Sequence, residues 1–116
     1  MDIDIIRDIC LSFPATEMEI KWKSDLVFMV GRKMFCMVDL DAVPPVVSFK
    51  VSDEDYEEKV ASYGFKPAPW FGKNKWVAVT DHHMLTHADW TRYLKASYGL
   101  VRQKLTQQLR RDLGIS

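Results

Sequence analysis

An α+β fold is what this chain predicts, and three features carry the prediction. Two apolar, β-prone runs, Leu26–Val30 and Met34–Val38, are separated by the link Gly31-Arg32-Lys33, the pattern of a β-hairpin. Nearer the other end, Trp90, Leu94, Tyr98, Val101 and Leu105 recur at helical spacing and make one apolar stripe on a helix of about five turns. The remaining strands cluster around the hairpin with short links, which favours a sheet that is antiparallel at least in part.

The elements follow in order. Asp2 can cap a first helix in which Ile5, Ile6, Ile9 and Cys10 share a face. That helix should stop near Ser12, because Pro14 disfavours a helical Phe13. Glu17–Trp22 alternates polar and apolar residues, the mark of a half-buried strand. After the hairpin and the Pro44-Pro45 break, Val46–Val51 reads as a fourth strand. Ser52 caps a short helix whose first turn holds Asp53, Glu54 and Asp55, and which ends near Tyr63 ahead of Gly64. The stretch from Phe65 is irregular until a strand at Trp76–Val79. Thr86 with Asp89 forms a capping-box variant that opens the long helix. A last short helix or turn runs from Leu109 to Leu113, closed by Gly114.

The central strands are apolar at nearly every position, so both of their faces need cover. The first and long helices should cover one face. The Asp53–Ser62 helix with the Trp70 segment, or a partner chain, should cover the other.

At 116 residues the chain matches one domain and can bury a core without disulfides. Its apolar fraction of 47% and charged fraction of 28% are ordinary for a globular protein. The acidic start carries no secretory n-region, and no apolar run reaches the roughly 18 residues of a membrane span. Cys10 and Cys36 each sit in an apolar run, as reduced buried thiols would in a cytoplasmic protein.

Net charge is zero but uneven: residues 1–58 hold 6 basic and 13 acidic side chains, and residues 59–116 hold 10 and 3. Such asymmetry points to an anionic partner or to self-association, unless the halves interleave and the charges mix.

No catalytic constellation is complete. His83 and His87 have the i, i+4 spacing of a helical metal pair, but the Thr86 cap places His82 and His83 ahead of the helix. No HExxH, CxxC, GxSxG, P-loop or GxGxxG pattern accompanies them, so neither a metal nor a cofactor is expected. Asp39 and Asp41 would project to one side, the minimum for acid/base work, yet they precede a Pro-Pro turn where Asp serves local hydrogen bonds.

Two basic turns are more suggestive. Arg32 and Lys33 occupy the hairpin tip, and Lys73, Asn74 and Lys75 lie between the aromatics Trp70, Phe71 and Trp76. Basic turn residues can reach phosphates, and neighbouring aromatics can stack on bases or offer a surface to a protein or small ligand. The run Arg92, Lys95, Arg102, Lys104, Arg110, Arg111 has no acidic residue between its ends and can extend the positive surface. Against this, lysines are common in exposed turns, and tryptophans are more often core than platform.

The same residues resemble the MmcQ/YjbR-like family. The opening Met1-Asp2-Ile3 and Cys10-Leu11-Ser12-Phe13-Pro14 are similar to its first helix and the stretch that ends it. Leu26–Phe35, Pro45 with Ser48-Phe49-Lys50, Lys73-Asn74-Lys75-Trp76-Val77 and Tyr98-Gly99-Leu100-Val101 resemble its later motifs in the same order. The chain departs from the family at Ala15, often Gly, and over Glu17–Trp22. The resemblance implies a CyaY-like fold, a twisted antiparallel sheet packed against N-terminal and long C-terminal helices. It also implies proposed binding of double-stranded DNA through a "double wing". The two basic turns are the natural wings: Arg32, Lys33, Lys73 and Lys75 would contact phosphate and Asn74 a phosphate or base edge. The fold relationship to frataxin raises iron, but the first helix offers only Asp2, Asp4 and Asp8, so iron binding is not carried over. The alternative is an interaction protein that meets itself or another partner through an apolar sheet face and the cluster Trp70, Phe71 and Trp76.

Overall fold

Helix α1 (Ile3–Leu11) opens the computed structural model, which describes residues 3–68 and 74–115. Ile6, Ile9 and Cys10 form its buried face, and Ser12 ends it by donating its hydroxyl to the Ile9 carbonyl at 2.6 Å. The Asp2 cap and the segment with Trp70, Phe71 and Lys73 lie outside the described residues. The other elements are β1 (Thr16–Lys21), β2 (Asp25–Val30), β3 (Lys33–Asp39), β4 (Val46–Lys50), α2 (Asp53–Val60), β5 (Phe65–Pro67), β6 (Trp76–Val79), α3 (His87–Gln103) and α4 (Gln107–Asp112). The strands form one six-stranded sheet in the order β1-β2-β3-β4-β6-β5, antiparallel throughout. The α+β architecture is thus as the sequence predicts.

Every residue of β2 after Asp25 is buried, so the strand is covered on both faces as its composition demands. Leu26, Phe28 and Val30 join the main core with Ile6, Phe13, Phe35, Phe49, Trp90, Leu94 and Val101. A smaller cluster of Ala68, Trp76 and Ala78, with Met34, Met37 and Val46 against it, is separate from that core. The expectation that the Asp53–Ser62 helix covers the second face is wrong. Tyr56 and Val60 of α2 pack against the main core, and Lys59 of α2 sits 4.1 Å from the centroid of the Tyr93 ring of α3. A helix with only two apolar core contacts follows its short tether to β4 and β5, not the side that needs cover.

The pairing of β2 with β3 slips by one residue between Phe28–Cys36 and Met29–Met34. The extra residue is Phe35, and the resulting bulge lets Phe35 and Cys36 both enter the main core. Met34 consequently turns to the smaller cluster, and Lys33 comes opposite Val30. Only two residues, Gly31 and Arg32, remain as the turn, both at positive φ (+58° and +68°), the signature of a hairpin turn whose twist matches the strands.

Strand β1 differs from its expected half-buried form. Met18 and Ile20 remain 45% and 52% exposed, because β1 is the edge of the sheet. Sequence also missed β5, three residues ending in a proline at the opposite edge. Thr86 and Asp89 make the full capping box of α3, each accepting the other's backbone N–H, at 3.1 and 3.0 Å. None of the described helices is long and apolar enough to cross a membrane.

Candidate functional site

Antiparallel pairing brings the start of β3, the end of β4 and the start of β6 to one end of the sheet. The C-terminus of α3 and the first turn of α2 meet them there. Together they line an open cavity of about 500 Å³, walled by Lys33, Met34, Lys50, Asp53, Asn74, Lys75, Trp76, Val101 and Lys104. The hairpin tip and the later basic turn therefore share one site. Four of its lining side chains are lysines, and one is a carboxylate.

Each charged group is held by the fold. Lys50 closes β4; its ammonium donates to the Asn74 carbonyl at 3.0 Å, tying β4 to the later basic turn. Its own carbonyl accepts the hydroxyl of the buried Ser97, on α3. Burial pulls the Lys50 ammonium below its ordinary pKa. Lys104 adds to this through its charge and a side-chain contact, and Asp53 acts weakly the other way. Lys75 sits at φ +62° with its ammonium 4.7 Å from the Tyr56 ring centroid, and its carbonyl accepts the Val51 N–H at 2.9 Å. Lys104 is the C-cap of α3, where positive charge suits the helix dipole. None of the four lysines is in an ion pair among the described residues.

Other sequence-predicted residues fall elsewhere. Arg32 is outside the cavity lining, paired with Glu17 of β1 at 3.1 Å. Trp76 is only 5% exposed, a wall of the cavity rather than an open platform. Of the basic run on α3 and α4, Lys104 alone lines the cavity; Arg102 donates to the Ile115 carbonyl and Arg92 pairs with Asp89. Lys50 and Lys104 were not singled out together by sequence. Lys50 reads as the end of a strand and Lys104 as one charge in a helical run, and no local pattern predicts that they meet.

The groups weighed for catalysis are separate. His82 and His83 lie in a 3-10 turn before α3, with rings stacked at 5.8 Å, and His87 begins α3. Burial is the main reason the His82 imidazole titrates below its ordinary value. No cluster of three or more histidines, cysteines or carboxylates able to hold a metal occurs among the described residues. Asp39 and Asp41 serve the turn: the Asp41 N–H donates to an Asp39 carboxylate oxygen at 3.0 Å, and Ser24 donates its hydroxyl to Asp41 at 2.7 Å. Cys10 and Cys36 are free thiols at full burial, and burial together with the contact to Cys36 pushes the Cys10 thiol far up, away from the reactive thiolate.

Comparison with known proteins places this geometry. No curated protein matches the chain. The crystal structure of the Deinococcus radiodurans protein DR2400, which carries the domain DUF419, is similar to it with a TM-score of 0.88 and 28% identity. The match covers 98% of this chain and 88% of that one. The YjbR family model matches residues 11–100, which span α1's last residue through most of α3 and include every cavity residue but Val101 and Lys104. The chain belongs to the YjbR family.

Proposed function

We propose that this YjbR-family chain is a non-enzymatic binding module that contacts the phosphates of double-stranded DNA with the basic end of its sheet. The observation that carries the reading is the convergence of Lys33, at the start of β3, with Asn74 and Lys75 of the later basic turn on one cavity with Lys50 and Lys104. Ammonium groups at a concave surface attract phosphate, and binding releases the counterions that DNA holds. Fluorescence anisotropy of a labelled duplex at low salt tests the proposal. With up to four phosphates neutralised, log affinity should fall with log salt at a slope of about −3 to −4. The double variant Lys33→Ala/Lys75→Ala should weaken binding to every sequence alike and reduce that slope by about 2. Absence of binding at about tens of micromolar, or an unchanged slope in the variant, overturns it.

A second reading, a protein partner or self-association, is favoured by a different surface. Edge strand β1 exposes Met18, Ile20 and, just beyond it, Trp22 at 60%, an apolar strip beside an unpaired strand edge. A partner that adds a strand there would cover both. Light scattering should then report a dimer that Ile20→Lys converts to monomer. A monomeric wild-type chain across the concentration range sinks self-association.

A further inference from the structure

The cavity is more than a charged patch, because four ammonium side chains line it against one carboxylate, Asp53, among the described residues. Lys50 and Lys104 are both in that lining, and the Lys104 charge helps to hold the Lys50 ammonium below its ordinary pKa. Like charges gathered on one cavity are unfavourable unless something negative stands between them. Lys50 is not a loose surface lysine that can swing away: its ammonium is bound to the Asn74 carbonyl and its strand end is pinned by Ser97. Its remaining N–H groups are therefore available in a fixed place, with Lys104 on the same lining. Lys33 and Lys75 add two further positive charges to the lining. Behind them the buried Trp76 and Val101, with half-buried Met34, give an apolar wall.

We infer that the cavity selects a phosphate monoester dianion, such as the terminal 5′-phosphate of a DNA end or of a nucleotide, over the internal diester of a continuous strand. This rests on the reading of the basic end as a phosphate-binding surface. A monoester carries close to two charges at neutral pH, enough to compensate both Lys50 and Lys104, and presents three acceptor oxygens to their N–H groups. An internal diester carries one charge, so it compensates only one of the two ammonium groups. A volume of about 500 Å³ lies within the range of small-ligand sites, and the apolar wall suits the sugar or base attached to the terminal phosphate.

Anisotropy with two duplexes of one sequence, one 5′-phosphorylated and one ending in 5′-hydroxyl, tests the inference. The phosphorylated duplex should bind about tenfold more tightly, the size of one added charge-assisted interaction. Lys50→Met should bring the two affinities together without abolishing binding, while Lys33→Ala/Lys75→Ala should weaken both duplexes alike. Lys104→Met gives an independent variant at the surface if Lys50→Met fails to fold by circular dichroism. A nucleoside 5′-monophosphate and inorganic phosphate serve as competitors, and separate a nucleotide from phosphate alone as the source of the dianion. Equal affinity for both duplexes overturns the selectivity and leaves DNA binding standing. Binding of the monophosphate without either duplex overturns DNA binding and supports the dianion site. Failure of duplexes, monophosphate and inorganic phosphate together overturns both.

Discussion

The two ends of the β2–β3 hairpin carry opposite charge and have opposite internal accounting. At one end Asp25, Asp39 and Asp41 gather, and at the other Lys33 joins Lys50, Lys75 and Lys104. The acidic end is largely satisfied from within: Ser24 and the backbone N–H of Asp41 donate to its carboxylates, and the Leu40 N–H closes the turn on the Ser24 carbonyl. Among the described residues the basic end has no such internal anions beyond Asp53, and it opens on a cavity. Like charges placed together by register can be absorbed by a turn or left for a partner. Only the second arrangement is poised to bind.

The comparison breaks most severely if the basic end cannot form, and Gly31 decides that. It holds φ +58° at the hairpin tip, and a Cβ there would stand 2.7 and 2.8 Å from the Leu105 methyls and 3.2 Å from Leu109. The junction of α3 and α4 is thus packed directly onto the turn. Gly31→Ala adds left-handed strain and overpacking, each on the order of 1–2 kcal/mol, for a loss of about 2–4 kcal/mol. Urea denaturation measures it. Arg32→Gly, at the neighbouring φ of +68°, is the control and should leave stability unchanged or raise it by up to about 1 kcal/mol. A Gly31→Ala loss below about 0.5 kcal/mol would mean that the α3–α4 junction does not rest on the turn.

What sequence could and could not foresee follows the range of the signals. The Thr86–Asp89 capping box, the α3 stripe, the Ser52 cap and the Trp76–Val79 strand depend on residues within a few positions of one another, and each is where local chemistry puts it. Strand β5 escaped because three residues ending in proline show no alternation, and proline is tolerated only because β5 is an edge. The site was half legible: Lys33, Asn74 and Lys75 stood out as residues of basic turns, whereas Lys50 and Lys104 acquire their role only when α3 crosses the strand ends. The bulge at Phe35 was equally invisible, although it decides which residue Lys33 opposes. Arg32, conspicuous at the tip, spends its charge on Glu17. Likewise the register that sets Asp25 opposite Asp39 cannot be read from either strand alone.

That pairing gives the next test. Burial first, then Asp39 and Asp41, holds the Asp25 carboxyl above its ordinary pKa. The native state therefore keeps this proton more tightly than the unfolded chain does. The resulting contribution is favourable at low pH and is lost as pH rises through the raised native value. Asp25→Asn removes the charge that causes the loss. It should stabilise the protein by about 0.2–1 kcal/mol at pH 7, the usual cost of like charges directly opposite across two strands. The gain should shrink to nothing below the ordinary carboxylate range. Urea melts of both proteins at pH 7 and in acid measure it, and a gain that persists in acid would assign the effect to packing rather than charge.

The smallest effect sharpens the contrast from the other side. Asp53 is the basic cavity's only carboxylate among the described residues, and its charge opposes that of the four lysines. It also sits in the first turn of α2, behind the Ser52 cap, where negative charge stabilises the helix. Asp53→Asn therefore sets two terms against each other. Stability should fall by about 0.3–1 kcal/mol through the helix dipole. Affinity for phosphate should rise two- to threefold, because a partly exposed like charge at the rim costs about 0.5 kcal/mol. Anisotropy and urea melts on the same preparation separate the terms. Weaker binding at unchanged stability would make Asp53 an organiser of the lysines, orienting them for the ligand, and would place the cavity beside the acidic end as a site that settles its own charge.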